Sequence, residues 1–588
     1  MTTSRRRRLA DAALARALGA PNARNSYTVA AVRVPMRDGV LLLADHYAPT
    51  MTSQRGTILI RTPYGRGFPT SSLYGRMFAA RGYHVVIQSV RGTFGSGGTF
   101  EPMAQEAHDG HDTVAWLRTQ EWFDGRLATL GGSYLGWTQW AVLQDPPPEI
   151  KTAILYVSPH DFREAVFGRG SFTLGDFLGW SNLVATQEDG GLLRRVVRAA
   201  TADRKLAPVL AGLPLPDAAD PLLLGRAPWY RTWLSHPDAA DPFWMRYRAG
   251  EALRRIDVPV LLVGGWQDLF VDQTLEQYAA LRERGVDVAL TIGPWTHLDT
   301  GMKAAGLINR ESLAWLDAHL AGDVIDRRPA GRPDGAAGLP GAGRPVRRSG
   351  GGRPVPRSGG GRPVPRSGGG FERKHPVHVF RTGEGAWHEL DAWPPPTSPA
   401  KYRFGPAGRP AESAAAEPDA LVSFRYDPVD PTPSVGGRVM TGEMGVRDNR
   451  KLEARPDVVT FTSEPLTAPV DVAGSPVVEL AIAVDNPHAD VFVRLCDVDE
   501  RGRSRNFSDR LRRLDPSVPA GEVQLLTLEL DPCFHRLLPG HRLRLQVSGG
   551  AFPRYARNLG MDGTLIEGST LKPSVHTLHR ADVVLPAA

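Results

Sequence analysis

The chain has 588 residues, of which 41% are hydrophobic and 23% are charged, as in soluble globular proteins. This length predicts about two to four domains, at about 150 residues each, and the composition excludes a wholly disordered or fibrous chain. No stretch is long and apolar enough for a bilayer span, so we expect no membrane partner. The two cysteines, Cys496 and Cys533, are too few for a disulfide scaffold and predict buried thiols in a reducing, cytoplasmic compartment.

The formal net charge of +7 is concentrated in one segment. Three consecutive nine-residue units, 344–352, 353–361 and 362–370, have the pattern RPV(R/P)RSGGG and hold seven arginines and no acid. Because the rest of the chain is neutral, a basic protein that acts mainly on nucleic acid is not indicated. Residues 322–370 are too rich in Pro, Gly and Arg to bury a core, and we predict a disordered, solvated linker there.

The first 26 residues are predicted to form a flexible basic arm. Arg5 to Arg8 followed by LADAALARALGA has some features of an export signal. Asp11 and Arg16 interrupt the run that would have to be apolar, which favours a cytoplasmic protein.

The next region predicts an α/β fold. Apolar strand-like runs at 57–60, 84–87 and 153–157 alternate with helix-like stretches, which is typical of βαβ units around a mostly parallel sheet. Residues 161–251 lack strand signals and predict a helical cap. The strand signal returns at Pro259 to Gly265, so residues 27–160 and 252–321 are predicted to form one catalytic domain around the cap.

After residue 371 the hydrophobic period changes from helical to alternating. In His541 to Ser548, Leu543, Leu545 and Val547 lie on one face of a predicted strand. Several such runs separated by turn residues predict that 371–588 form an all-β, antiparallel sandwich.

Ser133 is the candidate nucleophile. It lies in Ala128 to Gly136 (ATLGGSYLG), between a short strand and a helix, where a tight turn would hold its hydroxyl above the carboxyl edge of the sheet. The general Gly-x-Ser-x-Gly pattern is not met, because Leu135 occupies the second glycine position and Gly136 follows it. By itself the motif is also compatible with a plain helix cap.

Asp268 and His297 each follow a later predicted strand, in VGGWQD and IGPWTH. Serine, then aspartate, then histidine, each just beyond a strand, is the chain order of α/β-hydrolase triads. A serine hydroxyl needs a base to remove its proton, and the histidine needs a carboxylate to orient it. The sequence therefore predicts a Ser133–Asp268–His297 triad.

These residues are part of a longer series of motifs. It includes RTPY at Arg61 to Tyr64, VRGT at Val90 to Thr93 and, beyond the linker, YDPVDP at Tyr426 to Pro431. With them the chain resembles the cocaine-esterase-type hydrolases, relatives of the X-Pro dipeptidyl-peptidases and α-amino-acid ester hydrolases. The resemblance implies an α/β-hydrolase domain with a helical cap and a C-terminal jelly roll.

The resemblance also implies an oxyanion hole. In these enzymes a tyrosine hydroxyl and the backbone N–H after the nucleophile hold the oxyanion, and the matching residues are Tyr64 and Tyr134. It implies a possible homodimer and a small-molecule ester or amide substrate. Neither a metal nor an organic cofactor is called for.

The substrate pocket is expected to be apolar or aromatic. Leu269, Phe270 and Val271 follow Asp268 where the α-amino-acid ester hydrolases carry acids, so a substrate ammonium has no evident partner. Among the aromatic residues of the cap and triad loops, we predict Trp180, Trp266 and Phe270 as pocket residues. Other cap aromatics, such as Phe167, Phe172 and Phe177, fit a packed core as well.

We therefore expect a serine hydrolase of carboxylic esters, or of amides, that works through an acyl-enzyme on Ser133. An X-Pro dipeptidyl-peptidase and an acyltransferase would use the same triad. An alternative outside catalysis is a binding protein that uses its jelly roll, although an intact triad counts against it.

Overall fold

The computed structural model describes residues 12, 16, 25–50, 55–321, 373–405, 420–440, 442–563 and 565–588. In the helix 192–211 the side chains of 192–200 and 203 are also outside the description. The predicted linker lies outside the described residues, as does nearly all of the predicted N-terminal arm.

Ten strands form the first sheet. They are β1 (Tyr27–Pro35), β2 (Leu41–Pro49), β3 (Thr57–Thr62), β4 (His84–Ser89), β5 (Leu127–Gly132), β6 (Ile150–Tyr156), β7 (Val260–Gln267), β8 (Val288–Thr296), β9 (Val377–Arg381) and β10 (Ala386–Leu390). Their order is β1-β2-β4-β3-β5-β6-β7-β8-β9-β10, and all pairs from β4 to β9 are parallel. Every residue of β3, β4 and β7 is buried, as expected for parallel strands that are covered on both faces.

One boundary differs from the prediction. β9 and β10 were predicted within the β-sandwich region, but β9 pairs in parallel with β8, Leu290 opposite Val377, and so extends the first sheet. The pairing joins segments on either side of the predicted linker, and no local pattern in the sequence signals such a partner. The remaining domain limits stay proposals.

Helices pack on the first sheet, and along the chain they alternate with its strands. They are α1 (Glu106–Arg118), α2 (Tyr134–Val142), α3 (Phe162–Phe167), α4 (Leu174–Thr186), α5 (Leu192–Ala211), α6 (Leu215–Leu223), α7 (Pro228–Leu234), α8 (Glu251–Arg255), α9 (Val271–Glu283) and α10 (Ala305–His319). Shorter helical segments are a π-helix (Ser71–Arg76) that continues into Met77–Ala79, and two 3₁₀ helices (Pro242–Tyr247 and Leu298–Gly301). From α3 to α8 the chain forms no strand, and we propose that 161–251 act as the cap.

The C-terminal region is an antiparallel β-sandwich. Its strands are β11 (Ser398–Phe404), β12 (Val422–Tyr426), β13 (Val458–Thr462), β14 (Val470–Gly474), β15 (Val477–Val484), β16 (Asp490–Val498), β17 (Ser504–Arg513), β18 (Val523–Glu529), β19 (Cys533–Leu537), β20 (Arg542–Ser548) and β21 (Ser574–Ala587), with a one-turn helix α11 (Arg450–Glu453). One sheet has seven strands and the other has four, β13-β20-β16-β17. The alternation predicted for β20 is confirmed, because Leu543, Leu545 and Val547 are fully buried in the core between the sheets.

Both cysteines are buried and free, as the sequence predicts. Burial raises the pKa of each thiol to about 12. None of the helices in the described part of the chain has the length and apolar run that a bilayer crossing requires.

A buried ion cluster joins the cap, the first sheet and the sandwich. Arg438, from the sandwich region, forms ion pairs with Asp272 at the start of α9 (2.8 Å) and with Asp531 (3.2 Å). Arg169 of the cap contacts the same two carboxylates. Burial would raise the pKa of Asp272, but the attraction of the two arginines lowers it below its ordinary value. The cluster therefore fixes the beginning of α9 from two sides.

We expect Arg438→Ala to destabilise the protein by about 3 kcal/mol, because it leaves the buried Asp531 and the partly exposed Asp272 with less compensating charge. The measurement is thermal unfolding followed by circular dichroism. Arg231→Ala is the matched control, since Arg231 pairs with Asp217 and Asp220 in an exposed setting and its loss should leave the unfolding temperature unchanged. Equal unfolding temperatures for both variants would show that the cluster adds no stability.

Candidate active site

Ser133 occupies a strained turn between β5 and α2. Its backbone has φ 57° and ψ −124°, a left-handed conformation that a side chain rarely adopts. The turn is held by hydrogen bonds on both sides: the Ser133 N–H donates to the Tyr156 carbonyl (2.9 Å), and the Ser133 carbonyl accepts from Trp137 (3.0 Å). The hydroxyl thus stands at the carboxyl edge of the sheet, where the sequence places it.

Two glycines explain why the motif departs from the general pattern. A Cβ at Gly131 would lie 2.5 Å from the Cβ of Leu135, and one at Gly136 would lie 2.3 Å from the Ser158 hydroxyl. Gly136 is therefore required where α2 passes the segment that follows β6, whereas the preceding position has room for the Leu135 side chain.

Asp268 and His297 lie at the ends of the neighbouring strands β7 and β8, and the structure brings them to Ser133. His297 Nδ1 is 2.6 Å from Asp268 Oδ1, and His297 Nε2 is 3.0 Å from the Ser133 hydroxyl. Asp268 is fully buried, and its second oxygen accepts the Phe270 N–H (3.0 Å). A carboxylate in this position fixes the ring so that one nitrogen faces the serine.

Tyr64 lies beside this series, in the loop after β3. Its hydroxyl accepts a hydrogen bond from the Trp180 indole N–H (3.0 Å) and interacts with Ser133. Burial raises the pKa of Tyr64 to about 12. The hydroxyl therefore stays protonated near neutral pH and has a proton to donate.

Tyr134 follows the nucleophile at the first position of α2. Its side chain turns away from Ser133: the hydroxyl donates to Glu106 (2.7 Å) and accepts the Met103 N–H (3.0 Å). Its backbone N–H lies in the first turn of α2, where N–H groups have no acceptor within the helix. Of Tyr134, only the backbone is suited to meet a reacting oxygen.

A cavity of about 670 Å³ opens beside Ser133 and His297. Most of its lining is apolar, and it includes Trp180 from the cap. Among the lining residues that sequence reasoning missed are Asp176 of α4, the α10 residues Ala305, Ile308 and Asn309, and Met440 from the sandwich region. They come from separate parts of the chain, and no motif links them to the triad.

Two predicted pocket residues need correction, because neither Trp266 nor Phe270 is among the residues that line the cavity. Trp266 is 2% exposed; its indole N–H donates to the Phe380 carbonyl (2.7 Å) and its ring packs on Trp393 (5.1 Å between centroids). Phe270 packs edge-on against His297, 5.4 Å between centroids. Trp266 therefore points into the packing against Phe380 and Trp393, and Phe270 into the packing against His297.

The other cap aromatics, Phe167, Phe172 and Phe177, form the packed core of the cap. Within the described residues, no three His, Cys, Asp or Glu side chains converge as metal ligands would.

Comparison with known proteins identifies relatives of both regions of the chain. Residues 38–299 match the family "X-Pro dipeptidyl-peptidase (S15 family)", and residues 369–582 match "X-Pro dipeptidyl-peptidase C-terminal non-catalytic domain". The chain is 29% identical to a cocaine esterase from Rhodococcus sp. (strain MB1 Bresler), over 95% of this chain and 99% of the relative.

Two solved structures share the whole fold. An α-amino acid ester hydrolase has a TM-score of 0.73 at 22% identity, covering 97% of this chain and 98% of its own. An aminopeptidase from the marine sediment archaeon Thaumarchaeota archaeon has a TM-score of 0.71 at 23% identity, covering 96% of each chain. With an α/β-hydrolase region, an all-β region and two matching family models in one order, the chain is a homologue of cocaine esterase whose two regions match the X-Pro dipeptidyl-peptidase family models.

Proposed function

We propose that the protein cleaves carboxylic esters of apolar or aromatic acyl groups through an acyl-enzyme on Ser133. The observation that carries this proposal is the hydrogen-bonded series from Ser133 through His297 to the buried Asp268, at the wall of a mainly apolar cavity. Amides are the less reactive substrates of the same chemistry.

The reaction has two halves. In the first, His297 takes the Ser133 proton as the oxygen attacks the ester carbonyl, and then gives that proton to the leaving alkoxide as the C–O bond breaks. In the second, His297 takes a proton from water, the resulting oxygen attacks the acyl-enzyme, and Ser133 regains its proton as the acid is released. Asp268 stabilises the imidazolium in both halves.

The developing oxyanion is held by the Tyr64 hydroxyl and the Tyr134 backbone N–H. Because Tyr64 accepts its hydrogen bond from Trp180, its own proton is free to point toward Ser133 and the reacting carbonyl. Trp180 thus both lines the pocket and orients one oxyanion donor.

The proposal is tested with p-nitrophenyl esters from acetate to octanoate, plus benzoate, alongside fluorophosphonate labelling. We expect turnover and labelling in the wild type and the loss of both in Ser133→Ala, because the nucleophile is gone. The acyl chain length that gives the fastest turnover indicates the length of acyl group that the pocket accommodates. A folded wild type that is not labelled would contradict the proposal, and labelling without turnover would indicate an acyltransferase that lacks its acceptor.

Tyr64→Phe removes one oxyanion donor and keeps the ring. We expect kcat to fall about 100- to 1000-fold with a small change in KM, because the lost hydrogen bond forms mainly in the transition state. Steady-state kinetics on p-nitrophenyl butyrate give both constants. Tyr74→Phe is a suitable control, since Tyr74 is another partly buried tyrosine of the cavity wall. A raised KM at constant kcat would instead assign Tyr64 to substrate packing.

A second candidate is hydrolysis of substrates that carry an ammonium group near the scissile bond, as an X-Pro dipeptidyl-peptidase requires. Asp176 favours it, because among the described residues that line the cavity it is the one carboxylate. It is 1% exposed, and its Oδ1 accepts the Met440 N–H (2.7 Å). Sequence reasoning, which looked for acids after Asp268, had no reason to select it.

For this candidate we expect Asp176→Asn to lower kcat/KM for the p-nitrophenyl ester of phenylalanine by about 10- to 100-fold, the range for a hydrogen bond to a charged group. The uncharged 3-phenylpropionate ester should be unaffected. Glu164→Gln is the control, because it removes a cap carboxylate that does not line the cavity. Equal effects on both esters would exclude ammonium recognition by Asp176.

A further inference from the structure

We propose that Glu106 and Arg61 are positioning residues that hold both oxyanion donors in register. This inference rests on the proposed function, since it concerns the donors assigned there. The two side chains form a buried ion pair between Glu106 Oε2 and Arg61 Nη2 (2.8 Å), with 5% and 2% of the side chains exposed.

The ion pair first fixes Tyr134. Glu106 accepts the Tyr134 hydroxyl at 2.7 Å, and the Met103 N–H donates to the same hydroxyl at 3.0 Å. The pKa of Tyr134 lies well above its ordinary value, with burial as the main cause, so the hydroxyl remains a donor. A ring anchored at its far end leaves the backbone N–H at the start of α2 little freedom to move.

The same ion pair is connected to Tyr64. Arg61 is the next-to-last residue of β3, three positions before Tyr64, and its other nitrogens donate to the Glu106 carbonyl (2.6 Å) and to Gln88 of β4 (2.8 Å). The strand end that carries Tyr64 is thereby tied to the start of α1. Displacement of Glu106 would therefore reach both donors.

Ring contacts make the connection direct. The Tyr134 ring packs edge-on against Tyr64, 6.5 Å between centroids, and stacks on Trp180 at 6.3 Å. Trp180 is also the residue that donates to the Tyr64 hydroxyl. Tyr134 thus lies between the backbone of the nucleophile turn and the side chain of the other donor.

Stability alone is a weak explanation for this arrangement. A buried ion pair costs desolvation that its attraction only partly returns, and apolar residues of similar volume often stabilise a fold as well. A geometric requirement at the oxyanion hole is a stronger reason, because a displacement of about 1 Å in a reacting group can cost about 100-fold in rate.

The test uses Tyr134→Phe and Glu106→Gln, two small changes that keep the packing. We expect kcat on p-nitrophenyl butyrate to fall about 10- to 100-fold at nearly constant KM. Affinity for a trifluoromethyl ketone, which forms a tetrahedral adduct with serine, should fall in proportion to kcat. Rates are counted per active site by fluorophosphonate titration, so that loss of folded protein does not lower them.

The matched control is Tyr83→Phe. Tyr83 is also buried and also donates its hydroxyl to a carboxylate, that of Asp317, outside the cavity lining. The Tyr83→Phe variant should be less stable than the wild type, with no change in kcat per active site.

Unchanged kcat per site in both Tyr134→Phe and Glu106→Gln would overturn the inference and leave a merely structural role. A rise in KM with kcat and ketone affinity preserved would overturn it as well. These outcomes count only when the wild-type protein is labelled by the fluorophosphonate and is active. If the wild type is not labelled, the proposed function fails, and the inference with it.

Discussion

The positive φ of Ser133 is the constraint on which the active site depends. This conformation costs a serine free energy of order 1–3 kcal/mol, and interactions with the surrounding structure must compensate for that cost. Hydrogen bonds to Tyr156 of β6 and from Trp137 of α2 do so, and Gly131 and Gly136 provide the space. The outcome is a hydroxyl held away from its own backbone, at the edge where β7 and β8 also end.

Parallel pairing then determines what the serine meets. Since β5, β6, β7 and β8 run in the same direction, their carboxyl ends share one edge of the sheet. The residues after β7 and β8 therefore lie beside Ser133. Asp268 is held by the turn that begins α9, four residues before Asp272. Asp272 forms ion pairs with Arg169 of the cap and with Arg438 of the sandwich region, so this cluster connects the helix that follows Asp268 to both.

The sandwich is part of the active-site architecture. Met440 lines the cavity, and the Met440 N–H donates to Asp176 of the cap. From residue 373 onward the chain first adds β9 and β10 to the first sheet before it enters the sandwich. These contacts add a residue of the sandwich region to the wall of the cavity.

Local patterns in the chain were enough to predict the α/β class, the all-β region, the buried strands and the approach of Asp268 and His297 to Ser133. The hydrophobic period and the turn residues determine local structure over a few positions. Parallel pairing then places the carboxyl ends of neighbouring strands at one edge of the sheet. Long-range folding decided the rest: Asp176 and Met440 at the cavity, β9 beside β8, and Arg61 with Glu106 beneath Tyr134. Those contacts join residues from 28 to 264 positions apart, as in Tyr134–Glu106 and Met440–Asp176. Trp266 and Phe270 show the same limit, because a sequence places a side chain near a strand end, whereas only packing decides whether it faces the cavity or the core.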